Sequence, residues 1–499
     1  MDTLKKCLFT TLVAAVLLLI ATKSSPLYPL NDWVDANAIF TVGKGMMDGT
    51  VVYKDIFEQK GPALYAIHGV GSLISHNTFL GMYLLEVVAF SCFLFFALKI
   101  MSIYVSKHMA LIGTVLTGFL IVFVTNFVHG NSAEEYCLPL LAISMYHLLY
   151  HLRFRYTMEM PIWMILFNGI LAGCVVWIKY SMIGYWFGWM LMLLFSLVLL
   201  RKFGTILKTS VVFLLGMALS GVPWVLYFIE NNGLNEFIDV YFITNIKYYS
   251  DSGSLLNNLI TISGKIILVY FKNNIVFAAV FVTGLVGLLF TNLIEGRWLN
   301  KMGILVPFLF LFLSVYGGGI RLDYYFQIMT PLVLFGVVVL LKLLKTVVDL
   351  KDDKTAWMAS SGLLVVLLGV LYFTHHNTYL MKIEKEDLFQ YKFANYLNKH
   401  PNATLLNYGF LDMGVHNTAN IAPTVYYFMK HNFDYDVYPF DVDAQNSYLT
   451  KKITDFVVVK TNKDKAYKNP FLDKGYKPVL EQEQFYEDKV FNYVLYKKR

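Results

Sequence analysis

Five carboxylates and a lysine lie within residues 23–78, between the first two apolar segments of the chain. The carboxylates are Asp32, Asp35, Asp48, Asp55 and Glu58, and the lysine is Lys60. A carboxylate at a partly desolvated membrane boundary is suited to take a proton from a hydroxyl nucleophile. An ammonium group binds a phosphate as a compact point charge. These residue types therefore predict proton transfer and phosphate binding in this stretch.

Within this stretch, Asp35 and Asp32 are the predicted catalytic carboxylates, and Lys60 is the predicted phosphate contact. The two aspartates are three residues apart, so both would face one side of the segment if it is helical. The alternative is a solvated acidic loop whose charges only keep it out of the lipid. Its many apolar and aromatic side chains argue against disorder; they are Trp33, Phe40, Val51, Val52, Tyr53, Ile56, Phe57 and Tyr65.

A second acidic pair, Glu134 and Glu135, begins the predicted span at 136–152. Carboxylates there lie at the positive end of the helix dipole, and the preceding Asn131 or Ser132 is a suitable N-cap. Helix capping is one explanation of the pair. The other is a second catalytic group that binds an acceptor or orders the site.

Two further cations are predicted donor-phosphate contacts. Lys179 lies in a very short connector between two spans, where a lysine that extends to the interface is the alternative. Arg321 follows Gly317-Gly318-Gly319, which permits a close backbone approach to a ligand, and its guanidinium binds phosphate bidentately. The alternative there is an interfacial turn with an aromatic belt. Supporting roles are predicted for Asp55, Glu58, Asp323 and Tyr324.

The composition indicates a membrane protein. Of 499 residues, 57% are hydrophobic and 15% are charged, whereas a soluble domain has about 25% charged residues. The net charge of +7 is dispersed, so a nucleic-acid partner is not expected. The four cysteines are scattered over apolar segments and imply neither disulfides nor a metal site. No phosphate-binding loop, dinucleotide fingerprint, zinc-protease signature or nucleophile elbow is present in the sequence.

The elements that position these residues are membrane helices. A span needs about 20 apolar residues, and about eleven segments qualify: 5–22, 79–105, 109–127, 136–152, 161–178, 182–200, 209–229, 273–292, 302–318, 325–344 and 356–374. Lysines and arginines in the short connectors predict a cytoplasmic N-terminus and an external C-terminus. The first span lacks a small-residue cleavage site, so we expect it to be retained.

The composition changes after the last predicted span. From about residue 376 the chain is charged and tyrosine-rich, with alternating patterns at 455–459 and 490–495 that predict strands and a helical pattern at 386–400. We therefore predict a transmembrane catalytic domain over 1–375, with its outer loop at 23–78, and an extracytoplasmic α/β domain over 376–499.

The short first span, the early aspartate and the Lys-Gly-Pro before the second span resemble the membrane glycosyltransferases of GT-C type. In particular they resemble the bacterial branch related to protein mannosyltransferases and aminoarabinose transferases. The segment that begins at Asp35 is similar to the family segment that begins at its catalytic aspartate. Phe57–Pro62 resembles the family's Glu-Lys-Pro-Pro element, whose lysine contacts the donor phosphate. On this resemblance Asp35 is the general base and Lys60 is the phosphate contact.

The chain also departs from the family pattern. The family often has Asp-Glu at its first site, whereas Ala36 follows Asp35 here. A partner carboxylate would then come from elsewhere, and the candidates are Asp32, Glu134 and Glu135. In the second element, one residue separates the glutamate from the lysine, and a glycine replaces a proline.

The resemblance implies a glycosyltransferase that moves a monosaccharide from a polyprenyl-phosphate donor to an acceptor on the outer face of the cytoplasmic membrane. The acceptor would be a cell-wall polymer, another glycan, a lipid or a protein. No cofactor is required, and a divalent metal is possible but not implied. The alternatives are a polysaccharide transporter or flippase, which would place charges within its spans, a polysaccharide polymerase, and an inactive scaffold. The absence of an internal sequence repeat weakens the transporter interpretation.

Overall fold

A computed structural model describes residues 3–125, 127, 129–248, 255–262, 264, 267–319, 322–347, 350, 352–463, 469–486 and 489–499. The α-helices of the first half are α1 (Thr3–Ala21), α2 (Val34–Met47), α3 (Pro62–Ile74), α4 (Leu80–Tyr104), α5 (Lys107–Val122), α6 (Ala133–Phe154), α7 (Ile162–Lys179), α8 (Gly184–Leu199), α9 (Phe203–Glu230), α10 (Leu234–Phe237) and α11 (Asn245–Tyr248). A 3-10 turn, Tyr180–Ile183, joins α7 to α8, and a π-helix, Ile238–Thr244, joins α10 to α11.

The second half contains further helices and all four strands described. The helices are α12 (Leu255–Ile262), α13 (Leu268–Asn273), α14 (Ile275–Phe290), α15 (Trp298–Tyr316), α16 (Val333–Leu344), α17 (Asp353–Thr374), α18 (Phe389–Leu397), α19 (Val415–Ala419), α20 (Phe440–Thr450) and α21 (Pro470–Gly475). The 3-10 helices are Asp323–Leu332, His376–Lys382 and Lys385–Asp387. The strands are β1 (Leu405–Tyr408), β2 (Phe456–Asn462), β3 (Tyr476–Tyr486) and β4 (Lys489–Lys498).

Seven helical stretches among the described residues are long and apolar enough to cross a membrane. They are Thr3–Ala21, Leu80–Tyr104, Ile162–Leu199, Phe203–Glu230, Trp298–Tyr316, Asp323–Leu344 and Asp353–Thr374. Ile162–Leu199 contains α7 and α8, which the sequence predicts as two spans, while α5 and α14 coincide with predicted spans but have 16 residues each. The prediction of a multi-pass helical membrane protein is confirmed, whereas the count of eleven and the orientation stay predictions.

The chain forms two compact units, each assembled from three stretches of sequence. The first unit comprises Met1–Thr22, Leu84–Pro223 and Asp251–Thr378. The second unit comprises Lys23–Tyr83, Trp224–Ser250 and Tyr379–Arg499. Residues 23–78, predicted as a loop of the membrane domain, therefore group with the C-terminal segment. The predicted domain limits at 375 and 376 stay a prediction.

Glycines permit close helix contacts within the first unit. A Cβ atom at Gly188 of α8 would lie 2.6 Å from the Cα of Pro307 in α15, and Gly184 lies one turn earlier on the same face. A Cβ atom at Gly284 of α14 would lie 2.5 Å from the backbone nitrogen of Gly336 in α16. Small residues at such contacts let membrane helices approach through van der Waals packing, without a hydrophobic driving force.

A small mixed sheet, with strand order β1-β2-β4-β3, lies in the second unit. β1 pairs in parallel with β2, and β4 pairs antiparallel with both β2 and β3. Phe389 of α18 is stacked on Tyr493 of β4 with ring centroids 3.8 Å apart, and both side chains are fully buried. The predicted strands and the predicted helix at the C-terminus are confirmed, because β2, β4 and α18 occupy those positions.

Candidate active site

Helices α2 and α3 pack closely against each other at two glycines. A Cβ atom at Gly43 would lie 2.5 Å from the backbone oxygen of Tyr65, and one at Gly69 would lie 2.8 Å from the backbone oxygen of Gly43. Asp35 lies in the first turn of α2, and Lys60 lies two residues before α3 begins at Pro62. The contact between the helices thus brings the two predicted site residues together.

The Lys60 ammonium lies between two carboxylates. Its Nζ is 3.7 Å from Oδ1 of Asp35 and donates a hydrogen bond of 3.2 Å to Oε1 of Glu58. The Asp35 and Lys60 side chains are 13% and 24% exposed, so both reach a surface, whereas the Glu58 side chain is 2% exposed. The group therefore offers a partly accessible carboxylate and a partly accessible cation, with a buried carboxylate behind them.

Glu58 is held by hydrogen bonds from several directions. The Tyr65 hydroxyl donates to Oε2 of Glu58, and the Lys60 backbone N–H donates to the same oxygen at 3.1 Å. That N–H also donates to the Tyr65 hydroxyl oxygen at 2.8 Å, and the Tyr53 hydroxyl donates to the Lys60 carbonyl at 2.5 Å. These contacts fix the backbone from which the Lys60 side chain projects.

The buried Glu58 carboxyl is ionised at neutral pH. Burial by itself raises its pKa, but the Lys60 ammonium, the Tyr65 hydroxyl and the Lys60 N–H outweigh burial and leave the pKa below its usual value. Burial raises the pKa of the Tyr65 hydroxyl far above its usual range, so this group stays protonated and acts as a donor. Glu58 and Lys60 thus form an ion pair beside Asp35.

Tyr53 fixes one end of the segment 53–60. Its backbone has a φ of 70°, a left-handed conformation that costs a non-glycine residue about 1–2 kcal/mol. Its fully buried ring packs against the rings of Phe228, Phe237 and Tyr241, with centroids 5.5, 5.7 and 6.3 Å away. This aromatic packing within the second unit stabilises the strained turn that leads to Glu58 and Lys60.

The C-terminal segment holds the same stretch from another side. The Phe57 N–H donates to the Tyr426 carbonyl, and the Tyr426 hydroxyl donates to the Tyr53 carbonyl, both at 2.9 Å. The Phe57 ring meets the His431 ring edge-on at 4.7 Å. Burial lowers the pKa of His431 to about 4, with the Glu58 charge opposing it, so this imidazole is neutral at physiological pH.

The other carboxylates of the stretch have different partners. Asp32 precedes α2, which begins at Val34, and its Oδ1 accepts a 2.6 Å bond from the Lys23 ammonium. Asp32 and Asp35 therefore do not lie one turn apart on the same helix, as the sequence had suggested. Asp55 is exposed and accepts the Val51 N–H at 2.8 Å, which closes the turn before Glu58. The structure thus gives Asp32 and Asp55 positions beside their own local partners, and their site roles stay predictions.

Glu134 and Lys179, both predicted site residues, form an ion pair in the first unit. The Lys179 Nζ lies 2.5 Å from Oε1 of Glu134 and 3.3 Å from the centroid of the Tyr325 ring. Glu134 is buried, whereas the Lys179 side chain is 21% exposed. The ammonium is therefore held by a carboxylate and by an aromatic face. Its role as a phosphate contact stays a prediction.

Glu135 makes a capping box at the start of α6. Its N–H donates to the Ser132 hydroxyl at 3.2 Å, and its carboxylate accepts the backbone N–H of Ser132 at 3.5 Å and that of Asn131 at 3.1 Å. Oε1 of Glu86 in α4 accepts the same Asn131 N–H at 2.5 Å. The capping explanation is therefore present in the structure, and a catalytic role for Glu135 stays a prediction.

The remaining predicted residues lie near the start of the 3-10 helix Asp323–Leu332. Asp323 is exposed, and the Tyr324 ring lies 6.0 Å from the His129 ring in an edge-on contact. Arg321 lies outside the described residues. Among those described, no group of three histidine, cysteine or acidic side chains is arranged to hold a metal ion, and a reaction without a cofactor stays a prediction.

Several polar contacts at these positions are not predictable from the sequence. Tyr65 and Tyr53 were noted only as aromatic side chains of the loop, because a tyrosine gives no signal of its hydrogen-bond partner. Tyr325, the neighbour of the predicted Tyr324, contacts Lys179. Glu86 had a usable signal, because a lone acidic residue within an apolar span marks a polar contact there.

The described chain is a multi-pass helical membrane protein with a small mixed sheet and an ion-paired lysine before α3. No family model and no curated protein sequence matches it. Among solved structures, ArnT from Cupriavidus metallidurans bound to undecaprenyl phosphate is similar with a TM-score of 0.61 and 12% identity, over 99% of this chain and 98% of that one. The apo state of ArnT from Cupriavidus metallidurans is similar with a TM-score of 0.60 and 11% identity, over 98% of this chain and 97% of that one.

An oligosaccharyltransferase from Archaeoglobus fulgidus in its apo form gives a TM-score of 0.49 with 12% identity, over 91% of this chain and 69% of that one, and this likeness is too weak to carry an argument. The similarity to ArnT extends over nearly both whole chains. This similarity confirms the fold predicted from the GT-C resemblance, and it concerns the fold alone.

Proposed function

We propose that this protein is a membrane glycosyltransferase that transfers a monosaccharide from a polyprenyl-phosphate donor to an acceptor hydroxyl. The single observation that carries the proposal is the position of Asp35 beside Lys60, 3.7 Å apart, in a chain with the ArnT fold. A general base and a phosphate-binding cation are the two groups that such a transfer requires. The bound undecaprenyl phosphate of the ArnT structure supports this donor class.

In the proposed reaction, Asp35 takes the proton of the acceptor hydroxyl as its oxygen attacks the anomeric carbon. The bond from the anomeric carbon to the phosphate oxygen breaks, and the polyprenyl phosphate leaves with the electron pair of that bond. This single displacement inverts the anomeric configuration. Because the phosphate is a good leaving group, the reaction needs no nucleotide and no cofactor.

Lys60 stabilises the negative charge that develops on the leaving phosphate. Its position before Gly61 and Pro62 places it next to the N-terminus of α3, where the helix dipole also favours an anion. Glu58 and Tyr65 hold the backbone of Lys60, so its ammonium needs little reorganisation during the reaction. Glu58 is therefore a positioning residue in this proposal.

The predicted acceptor is a cell-wall polymer, another glycan, a lipid or a protein, and the predicted position of the site is extracytoplasmic. Lys179 and Arg321 stay predicted as further phosphate contacts, and Glu134 and Glu135 as further acidic residues of the site.

The test is sugar release from a radiolabelled polyprenyl-phosphate monosaccharide by the purified protein in lipid nanodiscs, with a panel of glycan, lipid and peptide acceptors. We expect Asp35→Asn to lower the rate by about 10²–10⁴-fold, since general-base catalysis contributes that much. Asp436→Asn, an exposed aspartate elsewhere in the second unit, is the matched control and should keep the wild-type rate.

Undiminished transfer by Asp35→Asn would show that Asp35 is not the base. Movement of intact lipid-linked sugar between leaflets, with no sugar released to any acceptor, would favour the flippase alternative. Release only from diphosphate-linked oligosaccharides would favour the polymerase.

A further inference from the structure

A lysine without a carboxylate partner lies within one of the long apolar helices of the first unit. Lys99 belongs to α4, five residues before the helix ends at Tyr104, which is about 7.5 Å along the axis. Its side chain is partly exposed, and neither an ion pair nor a hydrogen bond links it to another described residue. An ionisable residue within an apolar span is costly in free energy and is commonly retained for a function.

Three aromatic rings lie around the Lys99 ammonium. Its Nζ is 4.9 Å from the ring centroid of Tyr146 in α6, 5.2 Å from that of Phe95 and 5.4 Å from that of Phe96. A cation within about 6 Å of a ring centroid is attracted by the face of the ring. The rings therefore fix the position of the charge. An aromatic face does not neutralise the charge, however, and it leaves the three N–H donors of the ammonium for an acceptor.

Helix α1 brings a second lysine to the same end of α4. Two hydrogen bonds show that the helices run antiparallel: Thr11 with Ser91 at 2.8 Å and Thr22 with Glu86 at 2.9 Å. Lys6, near the start of α1, therefore lies at the end of the helix pair where Lys99 lies, and its charge repels that of Lys99. Among the described residues, no carboxylate pairs with Lys6 either.

Other cations near the helix ends of this unit are neutralised by carboxylates. The pairs are Lys107 with Asp353 at 3.1 Å, Arg153 with Glu295 at 2.9 Å and Lys202 with Glu159 at 3.6 Å. Two neighbouring ammonium groups without such a carboxylate repel each other, and the repulsion is stronger in a partly desolvated place than in water. The described structure thus leaves a local excess of positive charge at Lys6 and Lys99, which an anion from outside the chain would neutralise.

The helix surface that leads to Lys99 is apolar and exposed. Leu84 and Val88 of α4 are 43% and 66% exposed, and Lys99 follows Val88 by eleven residues, or about three turns, on the same helix face. On α1, the exposed leucines at every fourth position are Leu4, Leu8 and Leu12. Exposed apolar surface of this kind on a membrane-spanning helix contacts lipid chains. A phospholipid therefore matches both the apolar surface and the charge at its end, whereas a free anion matches only the charge.

We propose that an anionic phospholipid binds at this position, with its headgroup phosphate between Lys6 and Lys99 and its acyl chains along the exposed faces of α1 and α4. The phosphate accepts charge-assisted hydrogen bonds from both ammonium groups and offsets their mutual repulsion. A zwitterionic headgroup carries a cation of its own and is the weaker ligand. The sequence predicts the cytoplasmic side for this end of α1, and basic positions between membrane helices on that side bind anionic headgroups.

This lipid is distinct from the donor of the proposed function. Asp35 and Lys60 belong to the second unit, whereas Lys6 and Lys99 belong to the first. Phospholipid binding therefore requires neither sugar donor nor acceptor, and it can be measured without them. Asp35→Asn should bind the phospholipid as the wild type does, whatever the outcome of the transfer assay.

The test is native mass spectrometry of the full-length protein in detergent micelles, titrated with phosphatidylglycerol or with phosphatidylcholine. We expect phosphatidylglycerol to bind the wild type at least about tenfold more tightly than phosphatidylcholine, and Lys99→Gln to lose this preference with its charge-assisted contact. Because no described ion pair or hydrogen bond involves Lys99, the substitution should leave the fold intact.

Two control variants separate the charge from other effects. Lys99→Arg keeps a cation beside the aromatic rings and should keep the preference for phosphatidylglycerol. Lys5→Gln removes an exposed charge next to Lys6 and should also keep it. As a second readout, phosphatidylglycerol should raise the melting temperature of the wild type and of both controls more than that of Lys99→Gln, because a ligand stabilises the folded state that binds it.

Three results would overturn the proposal. The first is equal affinity of the wild type for phosphatidylglycerol and phosphatidylcholine. The second is an unchanged preference for phosphatidylglycerol in the double variant Lys6→Gln/Lys99→Gln. The third is a rise in melting temperature with inorganic phosphate that equals the rise with phosphatidylglycerol and is lost in Lys99→Gln, since it would assign the two lysines to a free anion instead of a phospholipid.

Discussion

Replacing Lys60 by methionine tests the site most directly, because it removes a cation that Asp35 and Glu58 share. The donor phosphate would lose a charge-assisted contact, which contributes about 1.5–3 kcal/mol. This corresponds to donor binding weakened by about 10–150-fold. The fold also loses stability, because the Glu58 carboxylate, 2% exposed, loses its counter-ion.

The size of the stability loss follows from the contacts that remain. Breaking a buried ion pair costs about 3–5 kcal/mol. Glu58 keeps the Tyr65 hydroxyl and a backbone N–H as donors, and the Lys60 side chain is 24% exposed. We therefore expect a loss of about 2–3 kcal/mol, below that range. The double variant Lys60→Met/Glu58→Gln removes the stranded charge and should recover most of the stability, but not the donor binding.

The assay measures both quantities on the same samples. Undecaprenyl phosphate binding is followed by native mass spectrometry from nanodiscs, and stability by the melting temperature. Lys54→Met is the matched control, since Lys54 is exposed and its ammonium donates to the Asn231 carbonyl, away from Asp35 and Glu58. Donor binding equal to wild type in Lys60→Met would refute the phosphate role. Recovery of donor binding in the double variant would show that the lysine acts only through the fold.

Two further predictions concern the support of the site. Because the pKa of Glu58 is lowered in the folded state, its ionised form stabilises the fold at pH values above the unfolded pKa of about 4.3. We therefore expect wild type to melt at a higher temperature than Glu58→Gln by a constant margin from pH 7 to 5, and this margin should shrink as the pH falls through the lower folded pKa. A margin that grows towards pH 3 would contradict this reasoning. Gly414 has a φ of 96°, and a Cβ atom there would lie 2.6 Å from Oδ1 of Asn37, whereas Gly409 has a φ of 80° and a Cβ atom there would meet no described atom within 4 Å. Gly414→Ala should therefore lower the free energy of unfolding by about 2–4 kcal/mol and Gly409→Ala by about 1 kcal/mol. Equal melting temperatures of the two variants would show that the clash at Gly414 is absent.

The parts of this protein that are predictable from sequence are those set by local patterns. Hydropathy located the long spans because lipid contact requires a continuous apolar stretch. Period-two alternation located β2 and β4, since one face of each strand is buried. Neither signal marks α2, whose glycines at 43 and 45 are weak helix formers. The helix forms because α3 packs against it, and the local sequence pattern does not predict that tertiary contact.

The site was predictable in its residue types but not in its pairings. Asp35 and Lys60 were found from their chemistry and from the family resemblance, and the structure brings them together. Asp32 was expected on the face of Asp35, yet Lys23 holds it before the helix begins. Glu58 was given a supporting role, and its buried ion pair with Lys60 was not foreseen. Pairings of this kind depend on the path of the backbone between residues, which charge and spacing do not specify.

The geometry of the candidate site depends on residues that have no chemistry of their own. Asp35 and Lys60 come from the starts of two helices, and their separation is set where those helices touch, at Gly43 and Gly69. A larger side chain at either glycine forces α2 and α3 apart, because the two nearest atoms it would meet at Gly43 are backbone atoms that cannot rotate away. An ion pair weakens as the distance between its charges grows, and it weakens far more once water enters between them. The two glycines are therefore as necessary to the proposed chemistry as the carboxylate and the ammonium that carry it out.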